Sequence, residues 1–280
     1  MTPTPHSSMI LSILVVRLLN KFGLLGWPLT KTFSPRIHEL LFDLTGLTGT
    51  YSLIKKEEIN RQSIVEINKD FLGYNITIPH KEKILNLDID FTIDEHVQKI
   101  GSTNTVKRTD DKIELFNTDF EGFTLFLKKI GYDLNKKNIL ILGSGGSSKA
   151  IKYALSTHKT KTYVVSRNQT DETISYVNAK ELAPEIDLVI NTTPVGMSHL
   201  SSESLDLDTN QFTNLELFLN IGYGYKNSFF EKFISEFESY DGIGMLICQA
   251  VLSFNIWTNL NLQVLDIYDE LYKLLESQND

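Results

Sequence analysis

The chain has 280 residues, enough for about two domains at roughly 150 residues each. It carries 27 Lys and Arg against 35 Asp and Glu, a formal charge of −8, and 41% of its residues are apolar against 22% charged. That balance excludes a disordered chain, a collagen-like fibre and a disulfide scaffold, and an acidic chain without a long basic block lacks the clustered cations of a general nucleic-acid binder.

Residues 9–19 (MILSILVVRLL) are apolar but far short of the ~20 needed to cross a bilayer, and no positive segment precedes them as in a secretory signal. Residues 1–19 therefore read as a disordered extension, with an amphipathic anchor as the alternative, and the fold starts near Asn20. Residues 21–26 (KFGLLG) read as a short buried strand. Ser34 then opens a helix as its N-cap, with Pro35 at the first position, where a missing N–H costs nothing. Residues 50–54 and 73–78 are further strands, the latter stopped by Pro79, and residues 102–107 and 112–116 form a late pair.

The second half is plainer. Residues 138–142 (NILIL) form the near-continuous apolar run of a strand buried on both faces. A glycine-rich turn and a helix over 150–155 follow, then strands at 162–165, 188–191 and 217–221. Residues 244–277 are helical and are expected to return over the first half. Alternating strands and helices imply an α/β fold with a doubly wound sheet. The single cysteine, Cys248, reads as a buried apolar residue of a reducing, cytoplasmic compartment.

Residues 143–150 (GSGGSSKA) sit between a predicted strand and a predicted helix, the setting a dinucleotide fingerprint requires. Gly143 allows the tight turn, Gly145 clears the approach to a pyrophosphate, and Ser148 is small enough for helix and strand to pack. Backbone N–H groups at the helix start favour phosphate. The next strand ends in Ser166, Arg167 and Asn168, without the acid that holds an NAD ribose. Arg167 can pair with a ribose phosphate, which points to NADP, the alternative being a solvated surface arginine.

Seven segments, in order, resemble those of the shikimate dehydrogenases. GWPLTKTFSPRIHELLF is similar to GxPxxxSxSPxxHNxxF, NITIPHK to NVTxPxK, GSTNTV to GAVNT and NTDFEG to NTDxxG. GSGGSSKA, NTTPVGM and GMLICQA resemble GAGGAxxA, NATPxGM and GMLVxQA. The resemblance implies a two-domain α/β fold. Residues 20–119 and 243–280 would form the substrate domain, residues 120–242 a Rossmann NADP domain, and the C-terminal helices would return to the first. It also implies reversible, NADPH-dependent reduction of 3-dehydroshikimate to shikimate.

By the same resemblance, Lys81 and Asp119 fall on the catalytic pair. Ser34 and Thr32 fall on the two serines that hold the substrate carboxylate, and Thr77, Asn104, Tyr223 and Gln249 on other substrate positions. Gly143, Ser144, Gly145, Gly146, Ser147, Ser166, Arg167 and Asn168 match phosphate-binding positions. Ile221 and Gly242 match the nicotinamide side, and Glu95 a further nucleotide-side position.

The chain departs from the pattern where Asn220, Tyr225 and Ser228 replace an acid, a proline and a threonine, where Leu115 replaces a glycine, and where Glu39 replaces an asparagine. His80, beside Lys81, is set aside as an acid/base because neighbouring strand residues face opposite ways. No cluster has metal-ligand spacing, so no metal is expected. The expected partners are small molecules rather than nucleic acid or membrane, with a homodimer as the candidate assembly. The rival readings are an NAD-using quinate/shikimate dehydrogenase and a catalytically silent nucleotide-binding module.

Overall fold

The computed structural model describes residues 20–30, 32–110, 112–196, 204–223 and 227–276. The readings of residues 1–19 as an extension and of Tyr225 as a substitution in its loop lie outside the described residues. Two sheets organise the chain. The first is built from β1 (Asn20–Gly26), α1 (Ser34–Thr45), β2 (Gly49–Lys55), α2 (Arg61–Asp70), β3 (Gly73–Ile76), α3 (His80–Lys83), β4 (Phe91–Ile93), α4 (Glu95–Ile100), β5 (Thr105–Arg108) and β6 (Ile113–Phe116). Its strand order is β2-β1-β3-β5-β6-β4. β1 runs parallel to β2 and β3, whereas β5 is antiparallel to both β3 and β6. The sheet is therefore mixed, and at the β5–β6 end Thr109 N–H donates to Lys112 O at 2.9 Å.

α5 (Asp119–Ile130) leads into the second sheet, which comprises β7 (Asn138–Leu142), α6 (Gly146–Ser156), β8 (Lys161–Val165), α7 (Tyr176–Leu182), β9 (Leu188–Asn191), β10 (Leu217–Asn220), α8 (Ser228–Glu236) and β11 (Glu238–Asp241). All its pairings are parallel, in the order β11-β10-β9-β7-β8. β7 is buried along its last four residues, as a central parallel strand must be. The chain ends in α9 (Ile243–Thr258) and α10 (Val264–Glu276). This is a two-domain α/β fold.

α9 returns to the first sheet. Phe254 packs edge-on against Phe42, Trp257 stacks on Phe22, and the Trp257 indole N–H donates to Val106 O at 2.8 Å. α5 lies against α9 closely enough that a Cβ on Gly122 would come within 2.9 Å of the Gln249 backbone N. One core runs through these helices, from Phe22 and Ile37 through Phe123 and Val251 to Ile139 and Ile190. Cys248 is buried there, and burial pushes its thiol up to about 12, so it is not a thiolate nucleophile. No described helix is long and apolar enough to cross a membrane.

Three local expectations change. Ser34 is the first residue of α1 rather than its cap: Phe33 takes the cap position, and Ser34 N–H donates to Thr32 Oγ1 at 3.2 Å. β3 ends at Ile76, two residues early, as the chain turns toward Pro79. His80 and Lys81 therefore lie on the short helix α3. His80 is fully buried with Nε2 2.7 Å from Lys56 O, so it is a packed side chain for a different reason than strand alternation.

Candidate active site

A cavity of about 540 Å³ opens where strands of both sheets end, the place where open α/β sheets bind ligands. The first sheet and its connections contribute Thr32, Ser34, Thr77, Lys81 and Asn104, α5 contributes Asp119 and α9 contributes Gln249. The opposite wall contains Gly145, Gly146 and Ser147 from the turn after β7, and Ile221, Tyr223 and Gly242 from the turns after β10 and β11.

Asp119 begins α5, where the helix dipole favours a carboxylate. Lys81 Nζ donates to its Oδ2 at 2.6 Å, and Asn104 Nδ2 donates to its Oδ1 at 2.9 Å. The Lys81 and Asp119 side chains are only 14% and 7% exposed, so each charge depends on the other. Asn104 is fixed in turn, because its Oδ1 accepts from Thr118 N at 2.7 Å and its Nδ2 also reaches Gln249 Oε1 at 3.2 Å. Behind it a buried hydroxyl–amide network joins Asn75, Thr105, Thr118 and Ser253, and Tyr51 donates to Asn75 Oδ1 at 2.9 Å. Such a network holds its geometry because every unpaired member would be costly.

At the hydroxyl-rich end, Thr32 Oγ1 donates to Ser34 Oγ at 3.1 Å and lies 3.3 Å from the Tyr223 hydroxyl. Thr32 and Tyr223 are 191 residues apart, so this contact ties the loop after β10 to the loop before α1. Asn220, which replaces an acid, keeps the acceptor role: its Oδ1 takes bonds from Asn191 Nδ2 at 2.9 Å and Gly222 N at 3.3 Å. Ser228 opens α8, whose cap is Asn227. Leu115 is fully buried in a separate cluster on the first sheet, with Leu25, Ile76 and Val106, and Glu39 is a surface partner of Arg36.

His38 stacks on Tyr51 with ring centroids 4.1 Å apart, and burial holds its imidazole down to about 3. An unfolded histidine titrates near 6.5. Because the folded value lies below this, the unfolded chain gains the proton first as pH falls. Stability should then drop by up to about 1.4 kcal/mol per pH unit between those two values. Melting from pH 7 to pH 5 should accordingly show a shallower loss of Tm in His38→Gln than in the parent. Equal slopes would locate the acid sensitivity elsewhere.

The turn after β7 fits a dinucleotide phosphate. Gly143 has φ +103°, and a Cβ there would meet Thr192 Oγ1 at 2.8 Å. A Cβ on Gly145 would meet nothing within 4 Å, so the approach to the start of α6 is open. Ser148 is 2% exposed, the close packing its small size permits. Ser144 Oγ and Ser166 Oγ are 3.1 Å apart, and Asn168 N–H donates to Ser166 Oγ at 3.3 Å. Arg167 and Asn168 are exposed at the end of β8. Gly143 and Ser144 in this turn, and the 166–168 loop after β8, are not among the residues that line the cavity. Glu95 is exposed on α4, paired with Lys99 at 2.6 Å, and is not brought to the cavity.

Sequence reasoning passed over Asn75, Thr193 and Met245, all of which line the cavity. Each lies inside a segment already quoted (NITIPHK, NTTPVGM, GMLICQA), so the signal was present.

Residues 24–106 match the shikimate dehydrogenase substrate binding domain family. The NADP(+) shikimate dehydrogenase of Staphylococcus aureus strain MSSA476 is 36% identical over 253 residues, spanning 85% of this chain and 92% of that protein. The chorismate mutase/shikimate 5-dehydrogenase fusion protein of Clostridium acetobutylicum superposes with a TM-score of 0.81 at 31% identity, covering 93% of this chain and 98% of the other. Shikimate 5-dehydrogenase of Thermus thermophilus, solved with NADP(H) and shikimate, gives a TM-score of 0.77 at 26% identity over 91% and 99% of the two chains. At 36% identity over 85% of its length to a curated member, the chain belongs to the shikimate dehydrogenase family.

Proposed function

We propose that this protein is an NADP-dependent shikimate dehydrogenase, reversibly reducing 3-dehydroshikimate to shikimate on the route to chorismate and the aromatic amino acids. The observation that carries the reading is the Lys81–Asp119 pair, 2.6 Å apart in a cavity also lined by Gly145 and Ser147. The relatives carry the same activity in their names, and one was solved with both ligands.

NADP, when bound, supplies or accepts the hydride. The 143–147 turn would hold its pyrophosphate, Ser166, Arg167 and Asn168 its ribose phosphate, and Ile221 and Gly242 would border its nicotinamide. Thr32, Ser34 and Tyr223 grip the substrate carboxylate with neutral hydroxyl donors, while Thr77 and Gln249 orient the ring. In the reduction direction the protonated Lys81 ammonium stabilises charge growing on the ketone oxygen and delivers its proton there. Asp119 holds that ammonium in place and accepts from a ring hydroxyl. In the reverse direction neutral Lys81 takes the alcohol proton.

Residues 20–119 and 243–280 are read as the substrate unit and residues 120–242 as the nucleotide unit, and Glu95 stays a nucleotide-side proposal. The buried Cys248 supports a cytoplasmic setting. The homodimer is tested by light scattering against a chain mass of 31.9 kDa.

Appearance of reduced cofactor, followed by absorbance, with shikimate or quinate and NADP or NAD, tests the assignment. Shikimate with NADP is the preferred pair. Preference for NAD or quinate replaces it with the quinate/shikimate reading, and no turnover with any pair leaves the silent module. Arg167→Ala should raise the KM for NADP about tenfold to 100-fold, the scale of hydrogen bonds to a charged phosphate, and leave turnover with NAD unchanged. Equal effects on both cofactors would return Arg167 to the solvated surface.

A further inference from the structure

The first turn of α6 touches the acid/base group directly. Lys81 Nζ donates to Ser147 Oγ at 3.1 Å as well as to Asp119 Oδ2 at 2.6 Å. Ser147 follows Lys81 by 66 residues, so the bond runs from the glycine-rich turn of the second sheet to α3 of the first. Gly146 allows the approach: a Cβ there would lie 3.0 Å from Lys81 Cβ and 2.7 Å from Ser102 Oγ. Three residues along, Lys149 Nζ pairs with Glu82 Oε2 at 2.6 Å. Consecutive residues of α3 are thus each bound to α6. The Lys149–Glu82 pair is about 40% exposed on each side and contributes little energy alone, but it keeps the two helices in register.

An ammonium has three N–H donors. Asp119 and Ser147 take two, which leaves one for the cavity. We propose that Ser147 is a positioning residue for Lys81: its hydroxyl is the second anchor that aims the remaining N–H at the substrate oxygen, and it couples the nucleotide-binding turn to the acid/base group. The inference rests on the shikimate dehydrogenase reading and deepens it. Ser147 stands where the family segment quoted above has alanine (GAGGAxxA).

The test compares Ser147→Ala and Ser147→Thr with the parent. Alanine at a half-buried helical position costs the fold little, and a Tm measurement confirms it. Two readouts are taken: kcat with both KM values, and the rate at which acetic anhydride labels the Lys81 amine in the free protein, followed by peptide mass spectrometry. Ser147→Ala should lower kcat about tenfold, the scale of one hydrogen bond to a charged group, with the KM for NADP within about twofold, because the backbone N–H groups of the turn, which would hold the pyrophosphate, are kept. Lys81 should label several-fold faster, and Ser147→Thr, which restores the hydroxyl, should return both values toward the parent. A raised KM for NADP at unchanged kcat would assign the hydroxyl to phosphate and overturn the proposal. An unchanged labelling rate would overturn it as well. Labelling needs no turnover, so faster labelling in a protein that does not oxidise shikimate would retain the tether and remove the functional reading instead.

Discussion

Replacing Lys81 by alanine should lower turnover at least ~100-fold while the dissociation constant for shikimate stays within about threefold. In the proposed mechanism the lysine supplies both the charge that stabilises a growing alkoxide and the proton that ends the step. The same proposal spreads substrate affinity over Thr32, Ser34, Thr77, Tyr223 and Gln249, all of which line the cavity. Loss of the ammonium also leaves Asp119 with only Asn104 as a donor among the bonds described, and its side chain is 7% exposed. Some stability should therefore be lost, because a nearly buried carboxylate without its counter-ion is costly. Lys81→Arg separates the two effects: it restores a positive charge but cannot release its proton, so stability should recover and turnover should not. Steady-state rates, a shikimate titration by intrinsic fluorescence and a melting curve measure all three quantities. Unchanged turnover in Lys81→Ala would end the proposed mechanism.

Gly242→Ala should be nearly as damaging, through backbone rather than charge. A Cβ there would lie 2.6 Å from the Ile221 carbonyl carbon and closer still to its oxygen. No rotamer relieves an overlap with backbone. Ile221 is held by its N–H on Asn191 O at 2.9 Å, and Gly242 by its own N–H on Gly222 O at 3.3 Å. Either the loop after β10 must move, carrying Tyr223 away from Thr32, or α9 must move, carrying Met245 and Gln249. Both shifts disturb the cavity, and a misplacement of this size costs about 100-fold in kcat/KM. Overpacking costs about 1–3 kcal/mol, which for a chain this long lowers Tm by roughly 2–10 °C. Gly145→Ala is the control, since its Cβ meets nothing within 4 Å and should leave Tm within about 2 °C. A Gly242→Ala enzyme with parental kcat/KM would show that the loop yields freely.

Much of the second sheet could be read from residues alone. NILIL has the near-continuous apolar run of an interior parallel strand, and β7 lies where it was expected; α6 instead begins at Gly146, four residues before the helix expected over 150–155, because the glycine-rich turn itself enters the helix. The short edge strands β4 and β11 escaped notice: at three and four residues, with β11 reading ESYD, neither has the alternation that marks a half-buried strand. Lys81 was legible as a candidate only through its segment, because a lone lysine carries no local mark of burial or partner.

Local chemistry, then, determined the elements, the glycine-rich turn and the residue types able to hold a phosphate or move a proton, since these follow from side-chain period and from which residues tolerate each backbone geometry. Only the tertiary structure decided that Lys81 meets Asp119 38 residues later, that Tyr223 reaches Thr32, that Ser34 leaves its cap to line the cavity and that His80 turns inward. These pairings depend on how two sheets close around α5 and α9, and packing between segments far apart in the chain leaves no periodic trace in either one.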